Sequence, residues 1–178
     1  DHHWNIEGAY KYYSNIINKI KLTAYPKENY LVREEKFIGG GSDIKRLSPN
    51  FNVENKMEFW DSLTQNSKIC KSNKGLEILN KKRNIKDDFY TNMYVKYFTT
   101  NDSECENKEA PVNEKVAIFG DSFVVIVANL FLDTFKKVDY YYAPMEGPTK
   151  EQLEKIKKGY DKVFFITYEY GARGVPRY

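Results

Sequence analysis

The stretch Lys115–Pro144, KVAIFGDSFVVIVANLFLDTFKKVDYYYAP, decides how the rest of the chain is read. Val116–Phe119 is a short apolar run that stops at Gly-Asp-Ser, a turn composition. Phe123–Phe135 then stays apolar for longer than a strand ordinarily runs, and KVDYYYAP has the β-branched and aromatic content of a further strand. Propensity alone also accepts a hairpin of VAIF and FVVIV around a GDS turn, because VVIV is β-branched. The helix is preferred because ANLFLDTF carries the segment past strand length and feeds another strand.

Downstream, TKEQLEKIKKGY reads as an amphipathic helix opening at Thr149 and closing at Gly159, and DKVFFITYEYG as a third strand. Strand, helix, strand, helix, strand at these lengths predicts a parallel sheet with right-handed crossovers. Ligands of such sheets bind beyond the carboxyl ends of the strands. That rule places Gly120, Asp121 and Ser122 at one strand end and Tyr168 and Glu169 at another.

Upstream, Asn5 is positioned to cap a helix over about residues 5–21, whose apolar side is Ile6, Ala9, Tyr13, Ile16, Ile17 and Ile20. NYLVREEKFIG predicts a strand that ends in the three glycines of GGGSDIKR. Residues 43–113 are polar, rich in Asn and Lys and weakly periodic, and read as an irregular, insertion-like region. Within it, short helices are expected near 56–64 and 75–83, and a strand near MYVKYFT.

The 178 residues suit one domain, 41% apolar and 16% aromatic, with 28 basic and 25 acidic side chains leaving a formal charge of +3. The lysines are scattered among acids instead of forming a stripe, which argues against a nucleic-acid partner. The longest apolar run is about half the ~20 residues needed to span a bilayer. Cys70 and Cys105 are too few for a four-ligand zinc site; two independent thiols is the plainer reading, and one disulfide is the alternative for an exported protein.

A serine after a strand, on a tight turn that starts a helix, presents its hydroxyl at the sheet edge with its own N–H beside it as an oxyanion donor. It needs a base, and His2 and His3, in the opening DHHW, are the only histidines. In an extended segment Asp1 and His3 share a side, so Asp1, His3 and Ser122 can serve as acid, base and nucleophile. A plain GDS turn, a metal-binding pair at His2 and His3, and a tag remnant are the competing readings. With no third histidine, a metal site would rest on carboxylates, so no metal and no cofactor are expected.

DHHWNIEGAY followed by KVAIFGDSFVVIVANLFLDTF resembles the bacterial DHHW protein family, itself similar to SGNH-hydrolase-like proteins that O-acetylate exported polysaccharides, the alginate acetylation group included. There an Asp-x-His-Trp motif precedes Gly-Asp-Ser-Phe, matched here by Asp1, His3 with Trp4, and Ser122. The resemblance implies an α/β three-layer, flavodoxin-like (SGNH hydrolase-like) sandwich with a mainly parallel sheet. It also implies serine-dependent transfer or hydrolysis of O-acetyl groups, an acetylated polysaccharide or acyl-donor protein as partner, and an extracytoplasmic, membrane-anchored or exported location. Such a protein would extend upstream, making this chain its carboxyl-terminal part. The usual oxyanion Gly and Asn match no motif here. Gly40, Gly41, Ser42 and Asn101 are the candidate donors, and Glu169 and Arg173 are candidates for the substrate rim. A non-catalytic surface protein that binds glycans on the same fold is the alternative class.

Overall fold

The computed structural model describes residues 6–38, 54–64, 67–72, 102–121, 123–143, 147–157 and 159–167. Helix α1 spans Ile6–Lys19, and the strands β1 (Tyr30–Ile38) and β2 (Glu54–Ser62) follow as an antiparallel pair. A second sheet contains β3 (Lys68–Ser72), β4 (Ser103–Asn107), β5 (Val112–Gly120), β6 (Phe135–Tyr142) and β7 (Lys162–Ile166), in the order β3-β4-β6-β5-β7. Helix α2 (Val124–Thr134) joins β5 to β6, and α3 (Lys150–Ile156) joins β6 to β7.

The unit from β5 to β7 follows the reading of its sequence. VVIV belongs to a helix, and β5 pairs in parallel with both β6 and β7. α2 has no polar face to present and is buried nearly all round, with Val124, Val127, Ala128, Leu130, Phe131 and Leu132 in the core. Thr149 caps α3 reciprocally with Gln152, and Gly159 closes the segment with a φ of 88°.

The three-layer, mainly parallel sandwich is not what forms; the sheet is mixed, because β3 and β4 enter antiparallel. One face is thick with core. Val116, Ile118, Val138, Tyr140 and Cys105 meet α2 and α1 there, and α1 contributes Ala9, Tyr13 and Ile17 at four-residue spacing. Among the described residues, the opposite face is covered by the seven-residue α3 and its flank, where Ile156 and Tyr160 pack on Ala117, Phe119 and Tyr141. Over β3 and β4 that face carries Ile69, Lys71, Glu104 and Glu106, all exposed, and β4 alternates buried and exposed residues throughout. An antiparallel sheet can leave such a face in water.

Two further expectations change. The helix expected near 56–64 is instead largely strand β2, paired residue for residue with β1. Cys70 and Cys105, directly opposite each other on β3 and β4, are bonded as a disulfide and not left as separate thiols. The expected helix at 75–83 and strand at MYVKYFT lie outside the described residues. No helix among the described residues is long and apolar enough to cross a membrane.

At the ends of α2 and β3, buried polar groups close on one another. Lys68 and Asp133, both almost fully buried, form an ion pair. The Lys68 ammonium also donates to Ser62 Oγ at 2.8 Å, and Asp133 accepts from the Tyr30 hydroxyl at 3.0 Å and the Thr64 hydroxyl at 3.3 Å. Asn107 donates to Thr64 Oγ1 at 3.1 Å and to the Leu132 carbonyl at 2.9 Å, tying β4 to the end of α2. Such a pair is tolerable in the core only because each charge has further polar partners.

Candidate active site at the end of strand β5

β5 is where the two crossovers diverge. α2 leaves it over one face towards β6, and α3 returns over the other face to β7 on its far side. In open α/β sheets the crevice outside the strand ends at such a point is the usual binding place. Gly120 and Asp121 occupy it.

The backbone there is held from several directions. A Cβ on Gly120 would lie 2.6 Å from Val124 Cβ and 2.7 Å from the Ile166 carbonyl, so only glycine lets α2 and β7 come this close. Gly120 O accepts from Ala143 N at 2.9 Å and from the Tyr140 hydroxyl at 3.0 Å. The same hydroxyl lies 2.8 Å from Asp121 O, so its proton is shared between two carbonyls. Asp121 starts the helix: its Oδ1 accepts from Phe123 N at 2.9 Å and its carbonyl from Val124 N at 3.1 Å. This side-chain turn does the work of an N-cap.

Burial, reinforced by the negative charge of Asp121, pushes the Tyr140 phenol far above its ordinary range. Tyr140 is therefore a fixed neutral donor to the turn and no base. On the other face, Tyr160 donates to Asp139 Oδ2 at 2.6 Å and lies 2.6 Å from the Tyr141 hydroxyl, while Lys115 pairs with Asp139 at 2.9 Å. Burial, then the bonds to Asp139 and Tyr141, hold Tyr160 neutral as well.

Of the residues that the sequence places at the site, Gly120 and Asp121 are described, whereas Asp1, His2, His3, Gly40, Gly41, Ser42, Asn101, Ser122, Tyr168, Glu169 and Arg173 lie outside the described residues. The described residues define no distance among Asp1, His3 and Ser122. They do define the ground on either side. α1 begins three residues after His3, and the turn from Gly120 to Phe123 flanks position 122. α1 packs on α2 through Tyr13, 5.6 Å ring to ring from Phe131 and hydrogen-bonded to Thr134, at the end of α2 remote from Asp121. Among the described residues, no three His, Cys, Asp or Glu side chains gather as metal ligands.

Residues not singled out from the sequence give the turn its support: Tyr140, Ala143 and, further out, Asp102 and Gln152. The capping box Thr-Lys-Glu-Gln at 149–152 was the one visible signal for Gln152.

Fold and turn together define an α/β protein with a mixed five-stranded sheet and a strand-turn-helix motif at its crossover point. Solved structures of similar fold include a DHHW family protein from Eubacterium siraeum DSM 15702 (TM-score 0.65, 14% identity, covering 99% of this chain and 59% of that one). They also include PatB1 of Bacillus cereus (TM-score 0.66, 17% identity, covering 99% of this chain and 63% of that one). A further PatB1 structure, with a sulfonyl adduct, matches at TM-score 0.66 and 17% identity, covering 96% and 59%. At these identities the likeness is one of fold, a distant structural relationship. The chain spans about three-fifths of the length of the solved proteins it matches. No protein-family model matches the chain, and no curated protein matches it.

Proposed function

We propose that this chain carries out serine-dependent acyl transfer on O-acetyl groups of an exported or cell-surface polysaccharide, with Ser122 as nucleophile, His3 as base and Asp1 as its acid partner. The observation that carries the reading is the Gly120–Phe123 turn, pinned at the crossover point of the sheet and leading directly into a buried helix. The fold shared with PatB1, a protein solved with a sulfonyl adduct, supports it.

In this reading Ser122 Oγ attacks the acetyl carbonyl carbon as His3 takes its proton, and Asp1 stabilises the imidazolium. The oxyanion meets the Ser122 N–H at the start of α2. Collapse expels the donor oxygen with the proton from His3 and leaves acetyl-Ser122. A sugar hydroxyl, deprotonated by His3, then takes the acetyl group in a transferase, and water takes it in an esterase. The Cys70–Cys105 bond supports an oxidising, extracytoplasmic setting.

Phenylmethanesulfonyl fluoride followed by peptide mass spectrometry tests the nucleophile, and p-nitrophenyl acetate turnover tests the chemistry. Wild type should be sulfonylated at Ser122, and Ser122→Ala and His3→Ala should each lose turnover. Equal turnover in all three, with no adduct at Ser122, would remove the reading in favour of a non-catalytic glycan-binding protein.

A further inference from the structure

The carboxylate of Asp102 lies at the sheet edge that holds the Gly120 turn, at the point where the chain enters β4. Its Oδ1 accepts from Tyr142 N at 3.1 Å and from Gln152 Nε2 at 3.0 Å, and its Oδ2 lies 3.6 Å from Lys155 Nζ. Gln152 is nearly fully buried and uses both ends of its amide: Nε2 also donates to Tyr142 O at 3.0 Å, and Oε1 accepts from Thr149 N at 2.9 Å. Both backbone groups of Tyr142 are therefore held from the β4 side by one Asp-Gln unit. Tyr142 is the register partner of Gly120, and the next residue, Ala143, donates its N–H to Gly120 O.

The hydrogen bonds of Asp102 and Gln152 with Tyr142, the Tyr142–Ala143 peptide and the bond from Ala143 N to Gly120 O thus link Asp102 to the carbonyl of Gly120. Tyr142 is the last residue of β6, so it lacks a strand continuation to fix it. Asp102 and Gln152 supply that fixing in its place. The Lys155 ammonium sits 5.3 Å above the Tyr141 ring, so the cation that faces Asp102 is itself seated on β6.

We propose that Asp102 is a positioning residue for the nucleophile turn: by holding the end of β6 it sets the place of the Gly120 carbonyl and so the aim of the residue two positions on. The proposal rests on the acyl-transfer reading for its functional part and on geometry alone for its structural part. Asparagine can keep the acceptor oxygen for Tyr142 N, whereas alanine removes it, so the two variants separate positioning from charge.

The experiment compares wild type, Asp102→Asn, Asp102→Ala and Gln152→Ala well below their melting temperatures. It measures the rate of Ser122 sulfonylation by phenylmethanesulfonyl fluoride, kcat and KM for p-nitrophenyl acetate, and amide hydrogen exchange at Ala143. Asp102→Ala and Gln152→Ala should lower kcat and the sulfonylation rate by about 10- to 100-fold, the scale of a small misplacement of a reacting group, with KM little changed. Asp102→Asn should stay within about threefold of wild type, and Ala143 exchange should quicken at least about tenfold in the alanine variants only. Unchanged Ala143 exchange in Asp102→Ala would overturn the proposal, as would an Asp102→Asn variant as impaired as the alanine. If wild type is not sulfonylated at Ser122, the acyl-transfer reading fails by itself, and the exchange result still decides whether Asp102 holds the turn.

Discussion

Replacing Gly120 by alanine is the sharpest perturbation of the candidate site. The new Cβ would lie 2.5 Å from Val124 Cγ2, 2.6 Å from Val124 Cβ and 2.7 Å from Ile166 O. A new rotamer would move the valine γ carbon but not its β carbon, and the carbonyl belongs to the last residue of β7. Relief therefore requires the first turn of α2 to retreat by roughly 0.8 Å and the end of β7 by roughly 0.7 Å, the differences between the 2.6 Å and 2.7 Å contacts and the 3.4 Å of ordinary packing. Overpacking of this kind costs about 1–3 kcal/mol. For a chain of this size, about 2–4 °C of melting temperature accompanies each kcal/mol, so a fall of about 2–12 °C is expected. Gly159→Ala is the matched control, since nothing lies within 4 Å of its Cβ and only its φ of 88° opposes a side chain. Its cost should be about 1 kcal/mol and recovered in part by Gly159→Asn, which tolerates that conformation. Thermal unfolding and the rate of Ser122 sulfonylation report the two effects: Gly120→Ala should lower both, and Gly159→Ala only the first. A Gly120→Ala protein that melts within about 1 °C of wild type and labels at the wild-type rate would refute the close-packing account.

Other outcomes follow from the buried polar groups and the cross-link. Lys68→Met leaves Asp133 in the core with two hydroxyl partners among the described residues and should cost about 3–5 kcal/mol by urea denaturation. Adding Asp133→Asn should recover at least half of that loss, and purely additive effects would argue against a coupled pair. Cys70→Ser with Cys105→Ser frees a loop of 35 residues and should cost about 4 kcal/mol in the chain-entropy model, with reduction of the wild type giving the same shift. Burial raises the phenols of Tyr13, Tyr30 and Tyr140 well above 10. Above pH 10 the unfolded chain loses protons that the folded one keeps, so stability is full below that pH and falls above it, by about 1.4 kcal/mol per pH unit for each of the three. Absorbance at the tyrosinate band should show these three, with Tyr141, pushed up to about 12 chiefly by burial, ionising after the exposed tyrosines.

Where one periodicity ran uninterrupted, the sequence was legible. The β5-α2-β6-α3-β7 unit is local, each element flows into the next, and the glycine and threonine punctuation fell at the observed ends. β3 and β4 escape a sequence reading because five residues in a polar stretch carry little signal, and KICKS runs against hydropathy, with Lys68 buried and Ile69 exposed. β2, too, is hard to tell from a helix by its sequence. ENKMEFWDS is polar at six of its nine positions, and its strand character comes from pairing with β1 more than from intrinsic preference. Without β3 and β4, nothing in the sequence marks the five-stranded sheet as mixed. At the candidate site the turn residues were legible by composition, but Tyr140, Asp102 and Gln152 were not, since their roles depend on partners far off in sequence, such as the 50 positions between Asp102 and Gln152.

The bond between Tyr13 and Thr134 joins residues 121 positions apart. During synthesis, α1 emerges before α2, and its buried stripe of Ala9, Tyr13 and Ile17 has no α2 to rest on until that later segment has left the ribosome. At about 5–20 residues per second the wait lasts from about 6 to 24 seconds, long on the scale of collapse and aggregation. The leading segment that carries the DHHW tetrad thus depends, for its fold, on the trailing segment that carries the serine.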